Sequence, residues 1–336
     1  MDLVTGATGI LGSHVLFSLA KRGHRVRAAK RPASDISRVQ ELFRYYSGNS
    51  PRLFDLVEWV DLDVLDYPAI EECISGVTNV YHCAGLVSFD PADRKRLFRV
   101  NEQGTRNIVN ACLHAGNVNL CHASTIGTIS NSDHPVLDES VFWKKSGSES
   151  DYALSKYGAE REVWRGIEEG LDAVIVNPGV IIAPVFWEQS SGRIFRKCFS
   201  GNPYYTTGSA AYISASDTAE AMISLTEGRH FGNRYILAEG NYDLRFILTR
   251  IQENFGRRPP LISVPKSVMY TMASLMRFFG IFTSKPPVLT KSLVNSAYNR
   301  QIYSNSKIKE VLGFSFEPVP DVLDKVCGYY RTVSAK

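Results

Sequence analysis

The sequence predicts an α/β protein: a doubly wound parallel sheet carrying a smaller, mostly helical C-terminal lobe. Three observations carry the expectation. Short β-rich runs alternate with helical patterns through the first half of the chain, the rhythm of strands joined by helical crossovers. A glycine-rich turn, "TGATGILG", connects the first run to the first helical pattern. After about residue 180 the alternation fades, and the last hundred residues read as helices with Pro-rich joints at "RRPP", "KPP" and "EPVP".

In chain order, "LVT" (3–5) precedes a helix at about 10–22, and "RVRAAK" (25–30) supplies the second strand. A polar helix near 35–46 leads to "LVEWVD" (56–61), a short helix near 67–74 and "NVYHCA" (79–84). A long helix over 93–115 then precedes "VNLCHAS" (118–124), and the helix containing "SDYALSKYGAE" precedes "DAVIVNPG" (172–179). The expected division is a sheet domain over 1–180, rejoined by 210–240, and a substrate lobe built from 181–209 and 241–336. No internal repeat or low-complexity segment interrupts this plan.

Composition narrows the function. The 336 residues are 44% hydrophobic and 21% charged, with a net charge of +4, which suits an ordinary globular protein and argues against nucleic acid as a partner. The densest basic cluster, "RKRLFR" (94–99), is read as a solvated helix face. Six scattered cysteines form no CxxC pair and no zinc-ligand spacing, so no metal is expected and a reducing cytoplasm is the simplest setting. No signal sequence is expected, because strand residues begin at Asp2. The apolar stretch "SVMYTMASLMRFFGIF" (267–282), broken by Arg277 and flanked by Lys266 and Lys285, is too short to span a bilayer. It is read as a buried or pocket-lining helix, with no firm membrane association.

The glycine turn carries the first chemistry. Gly6 allows the tight turn, Gly9 lets backbone approach a pyrophosphate, and Gly12 lets helix pack on strand. The helix N-terminus adds amides and a partial positive charge for the phosphates. At the end of the second strand stand Lys30 and Arg31, with no acid before Asp35. A carboxylate there would suit the ribose hydroxyls of NAD(H), whereas cations suit a 2′-phosphate. NADP(H) is therefore favoured over NAD(H), with Arg31 the better phosphate ligand because its guanidinium binds bidentately. In "DLDVLD" (61–66), Asp63 could accept from the adenine amino group while Val64 packs on the ring; Asp66 reads equally well as a helix cap. "HCAG" (82–85) ends the fourth strand in small residues that a cofactor could lie against.

Tyr152 and Lys156 stand at i, i+4 and share a helix face, while Tyr157 points elsewhere. A phenol titrating near ~10 is a poor base at neutral pH, and a neighbouring ammonium lowers it. Ser124 and Thr125, after the fifth strand, are both candidates to hydrogen-bond the substrate oxygen.

These motifs resemble, in order and spacing over nearly the whole chain, the extended short-chain dehydrogenases/reductases of the NAD-dependent epimerase/dehydratase superfamily. The matching segments are "TGATGILG", "DVLD", "HCAG", "VNEQGTRNIVNAC" (100–112), "AST", "YALSK" and "NPGVIIAP" (177–184). The resemblance implies a Rossmann sheet with a C-terminal lobe over the active-site cleft. It implies Tyr152 as general acid/base, Lys156 as its pKa-lowering partner that also holds the nicotinamide ribose, Thr125 as the substrate-oxygen hydroxyl, and Ser124 nearer the nicotinamide. Asn101 takes a structural role beside the cofactor. Cofactor contacts are implied for Gly6, Thr8, Gly9, Ile10, Leu11 and Gly12; for Lys30, Arg31, Asp63, Val64, Cys83, Ala84 and Gly85; and for Tyr152, Lys156, Pro178, Gly179, Val180 and Ile181. "RVRAAKRPAS" looks most like the dihydroflavonol reductase branch, and the C-terminal half also looks like the 3β-hydroxysteroid dehydrogenase branch. Both imply a ketone or secondary alcohol on an apolar, ring-bearing small molecule, with Phe89, Trp143, Phe186 and Tyr205 expected along the cleft. The alternative is a nucleotide-sugar epimerase retaining NAD, its diphosphate held by Arg193, Arg196, Arg257 or Arg258. The helices at 93–115 and 151–169 resemble the family's dimer-forming pair, so a homodimer is expected.

Overall fold

The computed structural model describes residues 1–48, 52–129, 134–141, 143–144, 147, 149–283 and 289–334, with backbone only at 277–283 and 334. Seven parallel strands form the main sheet. Its spatial order is Asn233–Leu237, Ala173–Pro178, Asn119–Ala123, Asn79–His82, Asp2–Thr5, Val26–Lys30 and Glu58–Asp61. This is the doubly wound order, reversing beside the first strand, where a crevice opens at the carboxyl ends.

The inner strands are largely apolar on both faces because helices cover both, whereas the edge strand Glu58–Asp61 buries no residue. Leu3, Val80, Leu120 and Ile175 pack on one side against Ile70, Ile108, Val109 and Val163. Their neighbours Val4, Tyr81, Cys121 and Val174 pack on the other against Val15, Leu16, Leu19 and Met222. The period-two alternation of side chains accounts for the split. All six cysteines are free.

Beyond residue 178 the chain builds a second layer. Gly240–Asp243, Ser209–Ser214 and Val180–Ile182 form a three-stranded mixed sheet in that order. The helix Ala215–Glu227 packs on the helix Ile10–Lys21 in the sheet domain, and Asn233–Leu237 takes the sheet edge. The helices Leu244–Asn254 and Val319–Ser334 enclose a separate core around Phe195, Ile247, Ile251, Leu323 and Tyr330.

Two helical expectations are corrected. The expected continuous helix over 93–115 is a 3₁₀ turn at Pro91–Asp93, an α turn at Arg94–Leu97, a π segment at Phe98–Gln103 and an α-helix only from Gly104 to Ala115. The expected buried helix is Lys266–Thr283, and it exposes Val268, Met272, Leu275 and Met276 at 41–51%. Lys285 lies outside the described residues. Among the described residues, no helix is long and apolar enough to cross a membrane.

Candidate active site

The glycine turn is shaped by close approach. Gly6 adopts φ +65°, and a Cβ on it would lie 2.7 Å from the Ala84 backbone at the end of the fourth strand. A Cβ on Gly12 would lie 2.2 Å from the Gly6 carbonyl oxygen, so only glycine lets this helix start against this turn. Gly9 is the N-cap of the helix Ile10–Lys21, and no side chain caps its amides. The first-turn N–H groups beside the half-buried Thr8, Ile10 and Leu11 are thus left for an external acceptor, as a pyrophosphate cradle requires. The residues present therefore fit a dinucleotide.

At the end of the second strand the two cations separate. Lys30 Nζ donates to Asp61 on the adjacent strand. Arg31 is exposed, and no carboxylate pairs with it among the described residues. Asp35 is occupied by the Ser37 amide (2.8 Å) and hydroxyl (2.6 Å), which hold its carboxyl below the usual range. Asp63 accepts from the Leu65 amide at 3.0 Å. Val64 is buried against Gly104, and its carbonyl accepts from Asn107. Asp66 caps the helix Tyr67–Ile74.

Cys83, Ala84 and Gly85 follow the fourth strand. Burial drives the Cys83 thiol far above its ordinary range, so it acts as a small apolar wall. Ala84 N donates to Thr5 Oγ1 at 3.2 Å, and Thr5 pairs with His82 Nδ1 at 2.7 Å. His82 Nε2 pairs with Thr105 at 3.0 Å. Asn101, in the π segment, accepts from the Leu86 amide (2.7 Å) and donates to the Leu86 carbonyl (3.0 Å) and Ser155 Oγ (2.9 Å). The irregular turn thus aims one buried amide at both the loop after the fourth strand and the helix that carries Ser155, a common use of π turns.

The helix Asp151–Glu168, capped by Ser150 Oγ on the Ala153 amide, presents Tyr152, Lys156 and Glu160 on one face. The Thr125 hydroxyl beside Tyr152 lowers its phenol, but burial outweighs it and pushes the phenol up to about 12. Lys156 is 4% exposed, and its Nζ donates to the Ala123 carbonyl at 2.7 Å and to His122 Nε2 at 3.4 Å. Burial lowers this lysine to about 8, against the raising influence of Glu160 and Cys83. The ammonium points at the fifth strand rather than the phenol, so in the protein alone it does not bring Tyr152 down.

The two hydroxyls after the fifth strand diverge. Thr125 turns toward Tyr152 and caps a short 3₁₀ turn through the Gly127 amide. Ser124 Oγ is buried and donates to Glu160 Oε2 at 2.9 Å. Thr128 and Asn177 reach the same oxygen at 2.7 and 3.1 Å, and Arg234 reaches Oε1 at 3.3 Å. Sequence reasoning missed this anchor, although Glu160 continues the 152/156 spacing. It also missed His82 and His122, which face each other across the fourth and fifth strands. Burial and the Lys156 charge hold His82 near 3 and His122 well below its ordinary value, so both are neutral.

Pro178 is buried, and Gly179, Val180 and Ile181 are half-buried where main and small sheets meet. A Cβ on Gly179 would strike the Ala211 carbonyl at 2.5 Å. Of the expected cleft aromatics, Phe89 is 43% exposed with its ring 6.0 Å from Tyr152. Trp143 instead packs tilted against Tyr157, ring centroids 3.9 Å apart, and Tyr205 lies beneath the Arg245 guanidinium. Phe186 is corrected: it is fully buried in the core with Leu42, Ala183 and Val185.

A glycine turn at the carboxyl end of the sheet, beside a helix face carrying Tyr152 and Lys156, is the arrangement of an NAD(P)-dependent oxidoreductase or epimerase. Residues 3–238 match the NAD dependent epimerase/dehydratase family, and the chain belongs to it. It is 30% identical to sterol demethylase protein B of Methylococcus capsulatus over 304 residues, 88% of each chain. It is 27% identical to a putative dihydroflavonol 4-reductase of Synechocystis sp., covering 98% of this chain and 94% of that one. The crystal structure of gox2253 superposes with TM-score 0.83 at 28% identity, covering 99% and 98%.

Proposed function

We propose that this NAD(P)-dependent oxidoreductase is an NADP(H)-dependent reductase/dehydrogenase interconverting a ketone and a secondary alcohol on an apolar, ring-bearing substrate. The observation that carries the reaction type is the convergence of Tyr152, Thr125 and Lys156 at the carboxyl end of the sheet. The bound nicotinamide dinucleotide supplies or accepts the hydride. Tyr152 Oη gives its proton to the carbonyl oxygen in reduction and takes it back in oxidation. Thr125 polarises that oxygen by donating to it. Lys156 holds the ribose and lends positive charge to the phenolate. Ser124 acts indirectly, fixing the loop through Glu160.

The preference for the 2′-phosphorylated cofactor is supported by Arg31, exposed where a carboxylate would be needed for NAD(H), with Lys30 and Asp35 already engaged. The substrate class is supported by the relatives' names, a sterol demethylase component and a dihydroflavonol reductase. An epimerase would need free cations for a diphosphate. Arg193 and Arg196 are instead bonded to Glu188 and Arg257 to the Phe199 carbonyl, which leaves Arg258 alone of the four without a partner among the described residues. The same reading keeps a homodimer through the helices Gly104–Ala115 and Asp151–Glu168.

The deciding experiment is the cofactor content of the purified protein, then NADPH and NADH titrations of wild type and Arg31→Ala. The reading expects an empty protein that prefers NADPH, with the variant losing about ten-fold for NADPH and nothing for NADH. Stoichiometric NAD carried through purification would make the epimerase the better assignment.

A further inference from the structure

Between Asn254 and Lys309 the sequence holds nine lysines and arginines and no aspartate or glutamate. The rest of the chain, with 29 cations against 34 acids, is net negative, so this segment alone turns the protein basic. Its described part up to Arg300 packs beside the C-terminal lobe, whereas Lys307 turns back to the main sheet, donating to Asn233 and the Arg234 carbonyl. The strand Ile262–Ser263 pairs with Tyr204–Tyr205, and the helix Lys266–Thr283 packs on the helix Lys291–Tyr298. Tyr270 Oη donates to Asn295, and Tyr298 Oη donates to the Val264 carbonyl at 2.5 Å.

The outward face of the part up to Arg300 is apolar. Val268, Met272, Leu275 and Met276 recur at i, i+4, i+7 and i+8, one stripe of a helix, and are 41–51% exposed. Leu261 and Ile262, just before the helix, are 69% and 49% exposed. A stripe turned inward would be covered by the lobe; among the described side chains of this helix only Ala273 is buried. Around it Arg257, Arg258, Lys266, Lys291 and Arg300 are all exposed. None has a carboxylate partner among the described residues; Arg257 and Arg300 bond only backbone carbonyls, and Lys266 lies over the Tyr270 ring.

We propose that this face docks on an anionic lipid surface, the helix lying in the interface plane with its apolar stripe among the acyl chains and the cations on the headgroups. An apolar stripe within a basic, acid-free rim is the pattern of an interfacial helix. A second copy of the chain is disfavoured as the occupant, because the two-fold pairing of this face would set cation against cation. The 18-residue helix lies on the bilayer and does not cross it. The inference stands on exposure and charge and is independent of the substrate reading.

The test is co-sedimentation of the full chain with vesicles of phosphatidylcholine alone and with 30% phosphatidylglycerol, at low salt and in 0.5 M NaCl. Binding is expected only to the anionic vesicles, with release by salt. Met272→Glu/Leu275→Glu and, separately, Lys266→Glu/Lys291→Glu should each weaken it at least ten-fold, since about five-fold is lost per cation near the surface. Both pairs are exposed, and an unchanged melting temperature and NADPH titration would confirm intact folding. Absence of wild-type binding to the anionic vesicles, or undiminished binding by both folded variants, overturns the proposal. A wild-type self-association abolished by Met272→Glu/Leu275→Glu, without vesicle binding, would assign the face to a second copy and equally overturn it.

Discussion

Replacing Lys156 by methionine should abolish turnover and yet leave the protein at least as stable at pH 7. The lysine is 4% exposed and titrates at about 8 rather than 10.5, with burial the largest cause. A displacement of that size corresponds to roughly 3 kcal/mol of penalty on the folded, protonated state. Methionine keeps the stem without the charge, but it orphans the Ala123 carbonyl, at about 1–3 kcal/mol. The two contributions nearly cancel at neutral pH. The pH dependence is the sharper signature. Below pH 8 both folded and unfolded lysine are protonated and the penalty is complete. Between 8 and 10.5 the unfolded chain holds a proton that the folded chain has released, so stability rises with pH. Tyr152, near 12, and Cys83, higher still, stay protonated across this window. Urea unfolding of the cofactor-free proteins at pH 7, 8, 9 and 10 should show wild type gaining on the variant by about 2 kcal/mol. Parallel stability curves, or a variant several kcal/mol weaker at pH 7, would mean the ammonium is well solvated and the burial argument is wrong.

Tyr152→Phe should lower kcat by about 10²–10⁴ while leaving NADPH affinity within two-fold, checked by steady-state kinetics and fluorescence titration. Gly12→Ala forces a Cβ to 2.2 Å from a backbone oxygen, so nucleotide binding should be lost even if circular dichroism shows a folded sheet. Glu160→Ala leaves Arg234 and three donors around an empty acceptor site and should cost about 3–5 kcal/mol, read as a fall in urea midpoint. An unchanged midpoint would show that water replaces the carboxylate without loss.

The sheet was legible because its inner strands are buried on both faces and read as apolar runs, and because the glycine turn has few alternatives once it sits between strand and helix. The Tyr152–Lys156 spacing was legible for the same local reason: i, i+4 neighbours meet on any helix. What escaped depends on contacts far apart in sequence. Glu160 becomes an anchor only when Asn177 and Arg234, from two later strands, arrive beside it. Lys30 looks like a phosphate ligand until Asp61 is registered next to it. Phe186 was misplaced because an aromatic in a Gly/Pro-rich stretch reads as a pocket wall, whereas here the following turn folds it into the core. The exposed stripe on Lys266–Thr283 was read as buried because a helical moment reveals an apolar face but not what covers it.

The helix face that carries Tyr152, Lys156 and Glu160 is a graded column. At one end Glu160 is pinned by four side chains from the loop after the fifth strand and from two later strands. In the middle Lys156 is held one turn away, its titration range brought close to physiological pH by burial and kept from falling further by Glu160. At the far end Tyr152 meets Thr125 and the exposed ring of Phe89. A carboxylate set nearer the tyrosine would raise the phenol still higher. Two helical turns from Tyr152, it supports the lysine and fixes the helix register while sparing the proposed acid/base. The order Tyr, Lys, Glu along one face therefore places the stabilising charge where it helps the ammonium and does least harm to the phenolate.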